Sequence, residues 1–122
     1  MITYSLKTDI FLVIFEGKIT FEEIVNYLKD FSDLEDLPND LLLLYDLSNV
    51  ELNFAPAEIK MISHVADLST QKYSSIKTAF LVDKPKMTAY STLFSNLADE
   101  IKTQRKIFST KEAALEWLNS KK

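Results

Sequence analysis

Apolar side chains recur along this chain with two different periods, and the switches between them mark out its elements. Ile2, Tyr4 and Leu6 alternate with polar residues, as on a half-buried edge strand. Ile10 to Phe15 is an unbroken apolar run rich in β-formers, which predicts a strand covered on both faces. Glu16-Gly17-Lys18 then predicts a turn. Gly17 is the single glycine of the chain, so its position calls for an unusual φ or a close backbone approach. From Thr20 the period becomes helical: Thr20 and Glu23 form a capping box, and Phe21, Ile24, Val25, Leu28 and Phe31 make one apolar stripe that ends near Phe31 or Ser32.

Leu41 to Tyr45 predicts a buried strand, followed by a loop carrying Asp46. Asn53 is placed to cap the next helix, with Pro56 in a first turn where a missing N–H costs nothing, and Ile59, Ile62, Ala66 and Leu68 facing inward. Ile76 to Val82 predicts a strand with Ala79 and Leu81 on one face and Phe80 and Val82 on the other. Pro85 opens a third helix, in which Met87, Tyr90, Phe94, Leu97 and Ile101 recur at three or four residues. Arg105 to Phe108 is a short last strand. Ser109 and Glu112 predict a second capping box, opening a helix through Ala114, Trp117 and Leu118 to a Lys121-Lys122 tail. The order β-β-α-β-α-β-α-β-α predicts an α/β fold, with an antiparallel pair at the start of a mixed, mostly parallel sheet of about five strands and about four helices. No repeat or linker divides the chain, so residues 1–122 are expected to form a single domain.

Composition narrows the function classes. Hydrophobic residues make up 47% of the chain, which excludes disorder. No basic-then-apolar segment opens the sequence and no apolar run is long enough to cross a bilayer, so a cytoplasmic protein without membrane insertion is expected. The absence of cysteine removes disulfides, thiol nucleophiles and thiolate metal sites. A net charge of −4 argues against a nucleic-acid partner. Residues 1–61 carry 4 basic and 12 acidic side chains, and residues 62–122 carry 10 basic and 6 acidic ones. An interleaved fold is expected to scatter them.

Candidate chemistry is sparse. The single histidine, His64, falls in the second predicted helix without a partner for a catalytic triad or a metal site. No phosphate loop or dinucleotide fingerprint exists, so no cofactor is expected, and adjacent acid pairs such as Glu22-Glu23 and Asp99-Glu100 point about 100° apart on a helix. The acidic loop Asp33 to Asp40 lacks the spacing and glycine of an EF-hand and is expected to be solvated. Asp46, at the carboxyl end of an apolar strand, stands where α/β sheets bind ligands, or it accepts hydrogen bonds from its own loop. Phe54-Ala55-Pro56 opens a helix whose first N–H groups can take an anion, although Phe54 and Pro56 make that entrance suited to a protein contact or an aliphatic ligand.

The stretch Asp46-Leu47-Ser48-Asn49-Val50 followed by Phe54-Ala55-Pro56-Ala57, set between strand and helix, resembles the core of the STAS domain and the SpoIIAA-like proteins related to it. In that family the loop runs D-L-S-x-V-x-x-x-D-S-S-G, with a phosphorylated serine in its second half. Asp46, Leu47, Ser48 and Val50 match the first half. Phe54, Ala55, Pro56 and Ala57 replace D-S-S-G, so the resemblance implies a SpoIIAA-like fold in which Ala55 stands at the phosphoacceptor position without a hydroxyl. The expected function is a non-enzymatic interaction module that binds a protein partner or itself as a homodimer, with Asp46, Ser48, Phe54, Ala55, Pro56, Tyr90 and Phe94 as candidate binding residues. Some SpoIIAA-like proteins are grouped with Sec14-type lipid-binding folds, so the resemblance equally allows a carrier of a lipid or other apolar small molecule in a cleft between sheet and helices.

Overall fold

In the computed structural model, which describes residues 1–98 and 102–120, one sheet organises the whole chain. Strands β1 (Ile2–Lys7) and β2 (Ile10–Thr20) form an antiparallel hairpin. Then follow α1 (Phe21–Ser32), β3 (Asp40–Asn53), a 3-10 turn (Pro56–Glu58) running into α2 (Ile59–Ser69), β4 (Ser75–Leu81), α3 (Pro85–Ser95), β5 (Thr103–Phe108) and α4 (Lys111–Leu118). The five strands lie in the order β1-β2-β3-β4-β5, and every pair after the first is parallel. This is the α/β architecture that the periodicities predict.

The two faces of the sheet are covered unequally. Phe11, Val13, Leu43, Tyr45, Phe80 and Ile107 point to one face, where α1, α2 and α3 close a core that also contains Ile24, Leu28, Phe31, Ile59, Ile62 and Met87. On the other face Leu44 and Ala79 pack against α4, through Ala114 and Leu118. Lys77 belongs to this second face and is buried. Its ammonium donates to the carbonyls of Trp117, at 3.2 Å, and Ser120, at 3.0 Å. It thus adds a charged donor at the C-terminal end of α4, where the helix dipole favours a cation.

Strand β3 departs most from the sequence expectation. Instead of ending at Tyr45 it continues for eight more residues, from Asp46 to Asn53, alongside β2. It does so through a bulge: Ile14 pairs with Asp46 and Glu16 with Asn49, so Leu47 and Ser48 together oppose Phe15. The extra residue reverses the parity of the strand. Before it the core takes Leu41, Leu43, Tyr45 and Leu47, and after it Val50 and Leu52, while Asn49, Glu51 and Asn53 are exposed. Asp46 closes the bulge, its Oδ1 accepting the backbone N–H of Ser48 at 3.0 Å and the Ser48 hydroxyl at 2.5 Å.

Other expectations are corrected locally. Gly17 does not turn the chain. It lies within β2 just past the bulge at φ +74, with open space where a Cβ would stand, so backbone conformation alone explains the glycine. Asn53 is the last residue of β3 rather than a cap, and Leu68 is 52% exposed on the outside of α2. The cap of α4 is Thr110, which accepts from the Ala113 N–H, and not Ser109, because the helix begins at Lys111, one residue later than a serine cap requires. Helix α3 ends at Ser95, short of Leu97. Ile101, the Asp99-Glu100 pair and the Lys121-Lys122 tail lie outside the described residues.

Between β5 and the helices sits a buried ionic cluster. The Arg105 side chain is 3% exposed; its guanidinium donates to Asp67 Oδ1 at 3.0 Å, to Ser63 Oγ at 2.9 Å and to the Phe94 carbonyl at 2.8 Å. It also lies 4.0 Å from the centre of the Phe94 ring. Burying a guanidinium costs several kcal/mol unless its protons find acceptors, and here α2 and α3 supply them. The result ties the edge strand to both helices.

Candidate functional site

The core between the sheet and helices α1–α3 is not completely filled. A cavity of about 80 Å³ lies among Phe15, Ile24, Tyr27 and Leu28 on the β2–α1 side, Tyr45, Leu47, Leu52 and Phe54 along β3 and its exit, Ile59 and Ile62 on α2, Phe80 on β4, and Tyr90, Ser91 and Phe94 on α3. The bulge creates much of this lining, since it turns Leu47 and then Leu52 to the same side and delivers Phe54 beyond the end of the sheet. Tyr45 lies on the middle strand beneath three helices, yet it is only half-buried, and it lines the cavity.

Aromatic rings build the walls. Tyr45 meets Phe15 with centroids 5.4 Å apart and Phe80 at 5.6 Å, and Phe80 meets Phe94 at 5.5 Å, all edge to face. This is the arrangement that ring quadrupoles favour. Four hydroxyl-bearing residues interrupt the apolar lining: Tyr27, Tyr45, Tyr90 and Ser91. Tyr27 and Tyr45 hydrogen-bond to one another across 3.2 Å. Burial raises the pKa of Tyr27 well above that of a free tyrosine, with further increases from the charge of, and the hydrogen bond to, a Tyr45 phenolate. Burial also raises Tyr45, against smaller opposing effects from the Tyr27 hydrogen bond and the Arg105 charge. Both hydroxyls are neutral at physiological pH. No lining residue carries a charge.

Of the residues singled out in the sequence, Phe54, Tyr90 and Phe94 meet at this cavity. Tyr90 is not the exposed docking residue its stripe suggests. It is 8% exposed, its ring lies 5.5 Å from that of Phe54, and its hydroxyl donates to the Phe54 carbonyl at 2.6 Å. With Lys86, which donates to the Leu52 carbonyl at 3.2 Å, it holds the exit of β3 against α3. Asp46 and Ser48 are not brought to the cavity. They engage each other at the bulge, so Asp46 acts as the acceptor of its own turn. Ala55 and Pro56 are exposed, and the Ala55 N–H donates to the Glu58 carboxylate at 3.1 Å, which fills the anion position at that helix start from within the chain. His64 is exposed on α2, and the described residues contain no cluster of three metal-ligand side chains.

The sequence reading missed Tyr45 and Tyr27 as a pair, Ser91, and the Arg105–Asp67 cluster. Tyr45 is the polar end of an otherwise aliphatic run, and Tyr27 lies on the inner side of α1, where Val25 is only half-buried. A hydroxyl within a buried apolar pattern was the available signal. Arg105 and Asp67 are 38 residues apart and have no local signature.

No protein-family model matches the chain, and no curated protein matches it. Among solved structures it is similar to an uncharacterized protein of the DUF3478 family with a SpoIIAA-like fold from Shewanella loihica PV-4. That likeness has a TM-score of 0.61 at 16% identity, and covers 97% of this chain and 92% of that one. The chain has a SpoIIAA-like fold. No helix among its described residues is long and apolar enough to cross a membrane.

The tyrosine pair gives the site a pH signature. A hydroxyl whose pKa is raised on folding contributes stability that is complete below the unfolded value near ~10 and is lost as pH rises through the folded value. In an alkaline titration, tyrosinate absorbance is expected to rise in two stages, the second coinciding with loss of helical circular dichroism, because Tyr27 and Tyr45 ionise only as the core opens. Complete ionisation of the five tyrosines in one stage with the fold intact contradicts their burial.

Proposed function

We propose that the protein is a non-enzymatic binding module of SpoIIAA-like fold, whose ligand site is the apolar cavity between the sheet and helices α1–α3. The observation that carries this reading is the void of about 80 Å³ in the core beside the half-exposed Phe54 and Phe94. Cores close to the density of organic crystals, and voids larger than a water are few. The volume bears on the occupant. A cavity of about 150 Å³ accepts one benzene, and this one has about 80 Å³. It therefore suits a small apolar molecule, or the tip of a longer one reaching in past Phe54 and Phe94, and not a whole acyl chain in this conformation. A phosphoserine switch has no place in the reading, because Ala55 lacks a hydroxyl and that of Ser48 is held by Asp46.

Xenon, which enters dry apolar cavities, is the test. Under xenon pressure the methyl resonances of Leu47, Leu52 and Ile62 are expected to shift. Leu47→Phe should abolish the response while leaving stability unchanged or higher by up to about 1 kcal/mol, as for cavity filling. A wild-type protein whose methyls ignore xenon contradicts the reading.

A second reading, docking of a protein partner or of a second copy, is favoured by Met61, Leu68 and Leu93, which are 54%, 52% and 43% exposed on the neighbouring helices α2 and α3. Tyr90 cannot test it, since a charge there disrupts the core. Leu68→Glu is the suitable change: light scattering is expected to report a dimer for the wild type and a monomer for the variant. A monomeric wild type removes the self-association form of this reading.

A further inference from the structure

The cavity has a single polar feature on its sheet side, and its proton count is uneven. Two phenolic hydroxyls offer two protons. Tyr27 and Tyr45 face one another at 3.2 Å, and no other hydrogen bond joins either hydroxyl to a described residue. Whichever ring donates, one O–H is left without an acceptor in the apolar lining. An undonated hydroxyl in such surroundings is unfavourable, and an occupant carrying an acceptor relieves it. The lining also limits the charge of that occupant. It holds no cation to receive a carboxylate, and burial keeps both hydroxyls neutral. Arg105, the nearest buried cation by its effect on Tyr45, lies outside the lining and donates to Asp67, Ser63 and the Phe94 carbonyl.

Deepening the cavity reading, on which it rests, we infer that the ligand is a small neutral carbonyl compound (a ketone, aldehyde or ester end) whose oxygen accepts the spare proton of the Tyr27–Tyr45 pair while its hydrocarbon part contacts Phe15, Phe80 and Phe94. The ligand provides the acceptor the pair lacks. An ordered water is the competing occupant, and it lacks the hydrocarbon contact that the remaining wall offers.

Two small probes of one shape isolate the hydrogen bond: acetone, and 2-methylpropene, in which a CH₂ replaces the oxygen. Titrations followed by amide and methyl shifts are expected to show acetone bound roughly three- to ten-fold more tightly, the value of one net hydrogen bond. Acetate, of the same shape, should produce no saturable shift at neutral pH. Replacing either tyrosine alone leaves the other hydroxyl able to donate, so the decisive variant is the double change Tyr27→Phe with Tyr45→Phe. It keeps both rings, removes both partners together and should remain folded. In it the two probes are expected to bind equally. 2-Methylpropene bound as well as acetone by the wild type overturns the inference and leaves the cavity reading standing. A ketone preference that survives in the double variant also overturns it, by assigning the donor elsewhere, Tyr90 and Ser91 being the other lining residues with hydroxyls. Saturable binding of the carboxylate contradicts the neutrality argument. If neither uncharged probe binds, the cavity reading fails with it.

Discussion

The fold depends on how β3 keeps one face toward the helices over fourteen residues while its sequence changes parity midway. A strand without a bulge would turn Val50 and Leu52 to the opposite face and Asn49 and Glu51 into the core, since a slip of one residue reverses every side chain. The two-for-one pairing at Leu47 and Ser48 absorbs the mismatch. It occurs just after the last β3–β4 pair, Asp46 with Leu81, so only the ladder to β2 has to accommodate it. Asp46 supplies the acceptor that the displaced Ser48 N–H has lost from the ladder. The resemblance of Asp-Leu-Ser to the STAS motif thus has a mechanical meaning in this chain: those residues build the bulge.

From that constraint the site follows. The bulge aims Leu47 and Leu52 under the helices, and Tyr90 and Lys86 hold the backbone of the segment that carries Phe54. The same face contains two kinds of polar burial with different balances. Around Arg105 the donors find acceptors on α2 and α3, so the cluster fastens β5 and specifies the packing. At Tyr27 and Tyr45 the balance is incomplete, and a cavity lies beside the shortfall. A core selected only for stability gains by placing phenylalanine at both positions, since exchanging two partnered hydroxyls for apolar groups of similar shape is near neutral and removes an unused donor.

Element types and their order were legible because they depend on period. Thr20 and Glu23 form the capping box as expected, and Pro56 opens the turn before α2. The site was only partly legible. Phe54, Tyr90 and Phe94 stand out as aromatics, but whether an aromatic stripe is core or surface depends on what packs over it, and Tyr90 proved to be core. The extension of β3 was hidden because its second half alternates with the opposite parity: Asp46, Ser48 and Asn49 read as a loop when no partner strand is known. Glu58 at its own helix start and Arg105 beside Asp67 are products of tertiary approach, which neither spacing nor composition encodes.

The claim that face parity governs β3 is tested most directly by changing the residue count at the bulge. Deleting Ser48 leaves Leu41, Leu43, Tyr45, Leu47 and then the former Val50, Leu52 and Phe54 in unbroken alternation, so the same faces are kept without a bulge. Inserting one serine after Ser48 demands a third residue opposite Phe15. Equilibrium unfolding in guanidinium should find the deletion variant cooperative and within about 2 kcal/mol of the wild type, the range of an ordinary substitution, and the insertion variant far less stable. A deletion as damaging as the insertion, or an insertion as well tolerated as the deletion, would contradict the account.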